Sequence, residues 1–218
     1  MPLEFFDFEQ NSPQWLECRR GLPTASMFGT VIGKGRDGGA STTRKTYLHK
    51  LAGEVVTGEL SESFSNRHTE RGHEHELAAR DAYAFLHDVE PVQVGFARNG
   101  RAGASPDALI GENGALEIKS KVPHLLIEAM LRGSFPPEHK AQVQGQLWIL
   151  EREWADLAIY WPGMPLVEYR APRDEDYIAR LAAAVDVFNE ELDLIVERIR
   201  AYGDPDALRR SLAASVAA

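Results

Sequence analysis

The chain has 218 residues, of which 44% are hydrophobic and 26% are charged, as in one large soluble domain or two small ones. Its single cysteine, Cys18, excludes an internal disulfide, a zinc site made of cysteines alone and a four-cysteine iron–sulfur cluster. No apolar run is long enough to span a membrane, and the N-terminus lacks the basic region of a signal peptide. We therefore expect a cytoplasmic protein without a membrane partner.

Charge is distributed unevenly along the chain. The formal net charge is −9, yet residues 19–50 contain seven basic side chains and one acidic side chain. A polyanion responds to the local field and not to the total charge, so this segment is a candidate for phosphate binding. A solvated surface with uneven charge would explain the same pattern.

The N-terminal third predicts short helices followed by a glycine-rich loop. The Ser-Pro pair at 12–13 is typical of a helix start, and residues 12–32 hold two short helical patterns broken at 21–23. The next segment, GKGRDGGASTTRK (33–45), is basic and rich in glycine and hydroxyl groups. It lacks the G-x-x-x-x-G-K-[ST] spacing of a nucleotide-binding loop, so we predict no ATP site there.

The remaining segments alternate between helical and strand patterns. Helices are predicted at 44–57, 69–87, 138–151 and 174–202, and strands at 91–97, 156–161 and 166–171. The last helix has apolar residues at steps of three and four, which is more often a face packed on the core than a coiled-coil seam. The order predicts one mixed α/β domain over residues 1–218, divided into a basic segment at 12–50, a core at 69–171 and a C-terminal helix at 174–202.

The stretch SPDALIGENGALEIKSK, residues 105–121, predicts a β-hairpin. Its GENG tetrapeptide is a turn signal between two apolar runs, and Ser-Pro-Asp makes a bend before the first strand. Residues two apart in a strand share a face, so Glu117 and Lys119 point to one side and Ile118 points to the core. Whether Asp107 meets Glu117 depends on register and twist, which the sequence leaves open.

The acidic residues of this hairpin form a candidate metal site. Neighbouring carboxylates repel each other, and each resists ionisation unless a cation lies between them. Oxygen ligands without nearby histidine or cysteine suit Mg²⁺ or Mn²⁺, with water and substrate phosphate as further ligands. A lysine beside such a metal orients or deprotonates the attacking water, so Asp107, Glu117 and Lys119 suit phosphodiester hydrolysis. The alternative is an ordinary surface ion pair between Glu117 and Lys119.

The helix predicted at 138–151 carries three glutamines, Gln142, Gln144 and Gln146, in an otherwise apolar stretch. Amide side chains reach phosphate groups or bases without adding charge, which favours a DNA contact. The alternative is a buried core helix. Both interpretations remain open at this point.

The HEHE motif at 73–76 resembles a histidine metal site at first sight. On a helix, however, His73 and His75 lie about 200° apart and do not bind one ion together. Zinc is therefore not expected.

Taken together, these motifs resemble the lambda exonuclease / YqaJ-like viral recombinase family, the phage-type alkaline exonucleases of the PD-(D/E)XK nuclease superfamily. The D-x9-E-x-K arrangement of SPDAL…LEIKSK is nearly the superfamily signature. WLECRRGLPTAS resembles the family's N-terminal box, RGHEHELAAR its G-x3-E helix, and AQVQGQLW its glutamine helix. In order and spacing these motifs cover residues 15–150, and the C-terminal helix carries none.

The resemblance implies a restriction-endonuclease-like PD-(D/E)XK core with a mixed central sheet flanked by helices. It implies that Asp107 and Glu117 bind two Mg²⁺ ions, replaceable by Mn²⁺, together with the backbone carbonyl of Ile118. Lys119 would activate the attacking water. Glu76 would stand near the metals, as a ligand or through a water molecule.

The resemblance also implies contacts to DNA by several side chains: Arg19, Ser26 and Thr24 at the terminal 5′-phosphate, Arg36 in the basic loop, and Gln142 and Gln144 on the glutamine helix. The residues alone allow simpler roles. Arg19 would be a surface arginine beside Arg20, and Ser26 a helix cap. Glu76 would pair with Arg80 at i+4.

The expected function is that of a Mg²⁺-dependent 5′-to-3′ double-strand DNA exonuclease that resects 5′-phosphorylated ends for recombination by strand annealing. The family implies a homotrimeric ring and a single-strand annealing protein as partner. A PD-(D/E)XK endonuclease or repair nuclease is an alternative, although the cysteine count excludes the RecB-like branch with an iron–sulfur cluster. A catalytically inactive DNA-end-binding module is the alternative from another class, and the intact Asp-Glu-Lys trio argues against it.

Overall fold

The computed structural model describes residues 2–36, 38–60, 67–202 and 209, without the side chains of 67–71 and 73. Within these residues the elements follow in the order β1 (Glu4–Phe6), α1 (Pro13–Arg19), α2 (Phe28–Val31), α3 (Thr42–Thr57), α4 (Arg67–His87), β2 (Phe96–Asn99), β3 (Ala102–Ala104), β4 (Ala108–Ile110), β5 (Gly114–Ser120), α5 (Pro123–Arg132), α6 (Lys140–Leu150), β6 (Trp154–Tyr160), β7 (Val167–Pro172) and α7 (Glu175–Ala201). Two 3₁₀ turns, Ala25–Met27 and Pro137–His139, precede α2 and α6. In the described part of the chain, no helix is both long and apolar enough to cross a membrane.

The strands form two sheets, ordered β1-β2-β3 and β4-β5-β6-β7. In the larger sheet β5 and β6 run parallel, whereas β4 and β7 pair antiparallel with their neighbours. Helices pack on both of its faces: Leu116 and Ile118 contact α4, while Leu157 and Ile159 contact α5. This mixed sheet between helices confirms the predicted α/β class.

Side-chain caps explain where several helices begin. Ser12, Ser41 and Asp174 each accept a hydrogen bond from the backbone N–H three residues later, at the starts of α1, α3 and α7. The apolar stripe of α7 packs into the main core from Ile178 to Ile195, as predicted, whereas Ile199, the next residue along the stripe, is 45% exposed.

The predicted strand at 91–97 is largely wrong. β2 begins only at Phe96, and the preceding segment contributes one isolated bridge between Val92 and Leu109. The chain crosses tightly at Gly95, where an added Cβ would lie 2.1 Å from the carbonyl oxygen of Phe8. Gly95 lies against the backbone at the end of β1. The alternating apolar residues before it therefore do not continue β2 as a regular strand.

Candidate active site

The β4–β5 hairpin brings Asp107 beside Glu117. The backbone N–H of Asp107 donates to the carbonyl of Leu116 (3.1 Å), and Oδ2 of Asp107 accepts from the backbone N–H of Ile118 (2.5 Å). Ile118 is buried in the core, and Nζ of Lys119 lies 2.6 Å from Oε1 of Glu117 on the other face of β5. The predicted hairpin and the predicted side-chain faces are therefore confirmed, and the structure supplies the register.

The carboxylate of Glu117 is only 3% exposed and is held by three donors. Lys119 and Gln142 contact its Oε1 at 2.6 and 2.5 Å, and Gln146 donates to its Oε2. Gln142 and Gln146 are four residues apart and therefore lie on one face of α6. A buried carboxylate needs such partners, because without them burial would favour its neutral form.

Gln144 does not join this group, because it lies on the opposite face of α6. It is 3% exposed, its Nε2 donates to the carbonyl of Pro172 (2.9 Å), and its Oε1 accepts from the N–H of Asp174 (2.9 Å). Both ends of the amide therefore anchor the start of α7. The structure gives Gln144 this architectural position and not the DNA contact expected from the sequence.

Negative charge is concentrated around Asp107. Burial, together with the carboxylates of Glu117 and Glu76, raises the pKa of Asp107 well above its usual range. Burial alone would lower the pKa of Lys119, but the attraction of Glu117 and the neighbouring carboxylates raises it instead. Without a cation, the surroundings therefore disfavour the ionised form of Asp107 and favour the charged form of Lys119.

Glu76 lies on α4 at the edge of this group. It pairs with Arg80 at 3.6 Å, as the local alternative predicted, and its charge also acts on Asp107 and Lys119. Arg80 in turn donates to the backbone carbonyl of Asp107 at 3.4 Å. Glu76 thus combines a local ion pair with a position near the hairpin carboxylates.

The donor set fits a hard divalent cation. Among the described residues, no three acidic, histidine or cysteine side chains converge as a ready-made metal cluster. Mg²⁺ does not need one, because it is usually bound by one or two carboxylates, with water and substrate phosphate completing its octahedron. The placement of Asp107 beside the buried Glu117 favours a cation, which would relieve the repulsion between their carboxylates.

His75 has no place in such a site. Its Nδ1 lies 2.7 Å from the hydroxyl of Ser120, and its ring packs edge-on against Trp161. His73 was predicted not to share a metal ion with His75, and its side chain lies outside the described residues.

A cavity of about 420 Å³, separate from the hairpin carboxylates, contains the residues expected at the 5′-phosphate. Arg19, Thr24 and Ser26 all line it, together with Tyr47 and Lys50. Tyr47 accepts a hydrogen bond from the N–H of Thr24 (3.2 Å), and the hydroxyls of Thr24 and Ser26 are 3.3 Å apart. Ser26 lies within the 3₁₀ turn and not at its cap position, so the simpler role as a helix cap is wrong.

The guanidinium of Arg19 is fixed within this cavity. It lies 3.7 Å from the centre of the Trp15 ring, and Nε1 of Trp15 donates to the carbonyl of Gly95 (2.8 Å). Burial lowers the pKa of Arg19, although an arginine keeps its charge at any physiological pH. Arg19 is therefore a partly desolvated, stacked cation and not the surface arginine of the simpler interpretation.

Arg36 lies apart from both groups. It is exposed in a small loop closed by a bridge between Lys34 and Ala40 and by a hydrogen bond from Gly35 to Gly39 (2.7 Å). The contacts within the described part of the chain do not join it to the hairpin carboxylates.

His139 was missed by the sequence analysis. It precedes Gln142 and Gln146 by three and seven residues, so it lies on the same face of the turn and helix. Burial, with the charges of Lys121 and Lys119, lowers its pKa to about 4. The i, i+3, i+7 spacing of polar residues was the signal that would have identified it.

Comparison with known proteins agrees with this geometry. Residues 14–153 match the family model described as YqaJ-like viral recombinase domain. The crystal structure of an alkaline exonuclease, LHK-Exo from Laribacter hongkongensis, superposes with a TM-score of 0.79 at 28% identity over 88% of this chain and 98% of that chain. Its complex with dAMP gives a TM-score of 0.81 at 29% identity, with the same coverage.

A more distant structure extends the fold comparison. A phage-related exonuclease from Haemophilus somnus 129PT has a TM-score of 0.63 at 14% identity, over 82% of this chain and 96% of that chain, which shows similarity of fold alone. No curated protein matched the sequence. The structural matches confirm the expected PD-(D/E)XK-type fold.

Proposed function

The chain belongs to the YqaJ-like viral recombinase domain family and is a nuclease, and we propose that it is a Mg²⁺-dependent 5′-to-3′ exonuclease of double-stranded DNA. It would release 5′-mononucleotides from linear ends and leave 3′ overhangs. The observation that supports this proposal is the 2.6 Å contact of Lys119 with Glu117 beside Asp107, in a hairpin that the nuclease motif predicts.

The chemistry would be divided between a cation and the protein. Two Mg²⁺ ions, or two Mn²⁺ ions in their place, would be held by Asp107, Glu117 and the carbonyl of Ile118. Glu76 would bind them directly or through a water molecule. Bound there, they would supply Lewis acidity and a more acidic water. Lys119 would orient the attacking water at Nζ and balance charge that develops on the phosphate.

Recognition of the end would fall to the cavity around Arg19. A terminal phosphate carries more negative charge than an internal phosphodiester, and a guanidinium binds such a group through paired hydrogen bonds. Stacking on Trp15 at 3.7 Å holds the guanidinium in place before DNA arrives. The hydroxyls of Thr24 and Ser26 would donate to the remaining phosphate oxygens.

The other parts of the proposal derive from family membership. We propose a homotrimeric ring around the duplex, with Arg36 and Gln142 near the DNA. The 3′ overhang would be passed to a single-strand annealing protein in the cytoplasm of a bacterial or phage-infected cell.

A single cleavage assay tests the proposed reaction. The protein is incubated with Mg²⁺, or with EDTA as control, on a linear 5′-phosphorylated duplex, the same duplex without the phosphate, and covalently closed circles. We expect mononucleotides from linear DNA only, faster with the phosphate and not at all in EDTA. Cutting of closed circles would support the endonuclease alternative, and DNA binding without cleavage would support the inactive end-binding module.

A further inference from the structure

Of the polar contacts between helix α4 and the sheet, that of Tyr83 with Asp156 is buried at both ends. Oη of Tyr83 donates to Oδ2 of Asp156 at 2.7 Å, and both side chains are almost fully buried. On β7, Arg170 donates from Nε and Nη2 to the two oxygens of Asp156, both at 2.8 Å. The Arg170 guanidinium is itself stacked 3.9 Å from the centre of the Trp154 ring. One carboxylate therefore connects α4, β6 and β7.

Helix α4 also meets the sheet through less buried polar contacts, between His75 and Ser120 (2.7 Å) and, at its C-terminal end, between His87 and Glu168 (2.9 Å). Around Tyr83 the contact is small and apolar. Ala79 and Tyr83 are the buried α4 members of a cluster whose other members are Ala108, Ile110, Leu116, Ile118 and Ala158. Packing of this kind favours burial but discriminates weakly between nearby rotations of a helix, because dispersion is not directional. A hydrogen bond to a fixed carboxylate is directional, so it selects one rotation and one depth of α4.

The same face of α4 carries Glu76. Seven residues separate Glu76 from Tyr83, which is about 10 Å along the helix with only about 20° of rotation. Between them Arg80 contacts the Glu76 carboxylate at 3.6 Å and the carbonyl of Asp107 at 3.4 Å. A small turn or slide of α4 would therefore change how Glu76 faces Asp107.

We propose that Tyr83 and Asp156 are positioning residues, which hold α4 in the one placement that keeps Glu76 beside Asp107 in the metal site. The inference rests on the proposed function, since it takes Glu76 to act on bound metal. Tyr83→Phe would keep nearly the same side-chain volume but would lose the directional contact. Tyr83 would thus contribute to metal binding without touching metal or DNA.

A double-mutant cycle tests this role. Binding of Mn²⁺ without DNA is measured by isothermal titration calorimetry for the wild type, Tyr83→Phe, Glu76→Gln and the double variant. We expect Tyr83→Phe to weaken Mn²⁺ binding about tenfold, the size typical of a residue that orients a ligand. In the Glu76→Gln background, the same change should have no further effect, because the residue it positions is already lost.

Tyr169→Phe is the matched control, because Tyr169 also donates through its hydroxyl, to the carbonyl of Ala129, on the α5 side of the sheet. This variant should keep wild-type Mn²⁺ affinity even if its melting temperature falls. Tyr83→Phe with unchanged affinity, or with an equal loss in both backgrounds, would overturn the positioning role while Glu76→Gln still weakens binding. Glu76→Gln with unchanged affinity would instead remove Glu76 from the proposed site and overturn the inference with it.

Discussion

Gln146 donates through Nε2 to Oε2 of Glu117, while Oε1 of the same amide is buried and has no hydrogen-bond partner among the described residues. Gln144, two residues earlier, has both ends of its amide bonded to backbone. One helix thus carries a glutamine that serves the site and another that serves the architecture.

This difference predicts that matched substitutions of the two glutamines change different properties of the protein. Gln146→Leu should raise the Mg²⁺ concentration that gives half-maximal cleavage by about tenfold, because Glu117 loses a donor that orients it. Gln144→Leu should lower the melting temperature by loosening the start of α7, and leave that Mg²⁺ concentration unchanged. Cleavage titrations and thermal unfolding measure the two effects. Equal effects of both variants on the Mg²⁺ requirement would contradict this division of roles.

Lys119 is expected to serve hydrolysis and not binding. Lys119→Ala should lower the cleavage rate by about 10²- to 10³-fold, the usual range for loss of a group that stabilises charge in the transition state. Affinity for linear duplex, measured by fluorescence anisotropy in Ca²⁺, should stay close to the wild-type value. Lys121→Ala is the control just beyond the end of β5, because Lys121 pairs instead with Glu138 at 3.2 Å. A Lys119→Ala variant with full activity would refute the proposed mechanism.

The sequence predicted the central hairpin because its signals are local: a turn tetrapeptide, a Ser-Pro-Asp bend and strand alternation. It did not predict the register that sets Asp107 opposite Glu117, because that depends on hydrogen bonds between strands. Strand β1 was missed because its pairing partner, β2, lies about ninety residues away, with Glu4 opposite Arg98. Gln144 was misassigned because the glutamines were treated as one set, whereas helical periodicity separates Gln144 from Gln142 and Gln146.

The cavity around Arg19 predicts a preference for phosphorylated ends. Arg19→Ala should reduce the rate advantage of 5′-phosphorylated over unphosphorylated duplex about tenfold or more, since a charge-assisted contact to phosphate is lost. Arg20→Ala is the matched control, because Arg20 instead pairs with Glu17 at 2.8 Å and donates to the carbonyl of Gly58. Initial rates on the two duplexes give the ratio. An unchanged ratio in Arg19→Ala would refute the pocket assignment.

Repulsion among the carboxylates predicts that Asp107→Asn stabilises the metal-free protein. Asp107 lies beside Glu117 and Glu76, and their charges disfavour its ionised form. Asp107→Asn is neutral without taking up a proton, and its side-chain oxygen still accepts the hydrogen bond from Ile118, which Asp107 accepts at 2.5 Å. In EDTA at pH 8 we expect a melting temperature about 2–4 °C higher, as for a gain of about 1 kcal/mol in a domain of this size. A lower melting temperature would show that the contacts of Asp107 stabilise the fold by more than its charge repulsion destabilises it.

His139 predicts a loss of stability in mild acid. Its pKa in the folded protein is lowered to about 4 by burial and by Lys121 and Lys119, whereas an unfolded histidine titrates near 6.5. The unfolded chain therefore binds a proton first, and this contribution to stability, full above pH 6.5, is lost as the pH falls toward 4. His139→Gln, which does not titrate, should lose about 1–2 kcal/mol less free energy of unfolding than the wild type between pH 7 and pH 4, after allowance for solvent screening. Urea unfolding at several pH values measures the difference, and parallel pH profiles of the two proteins would contradict a neutral, half-buried imidazole.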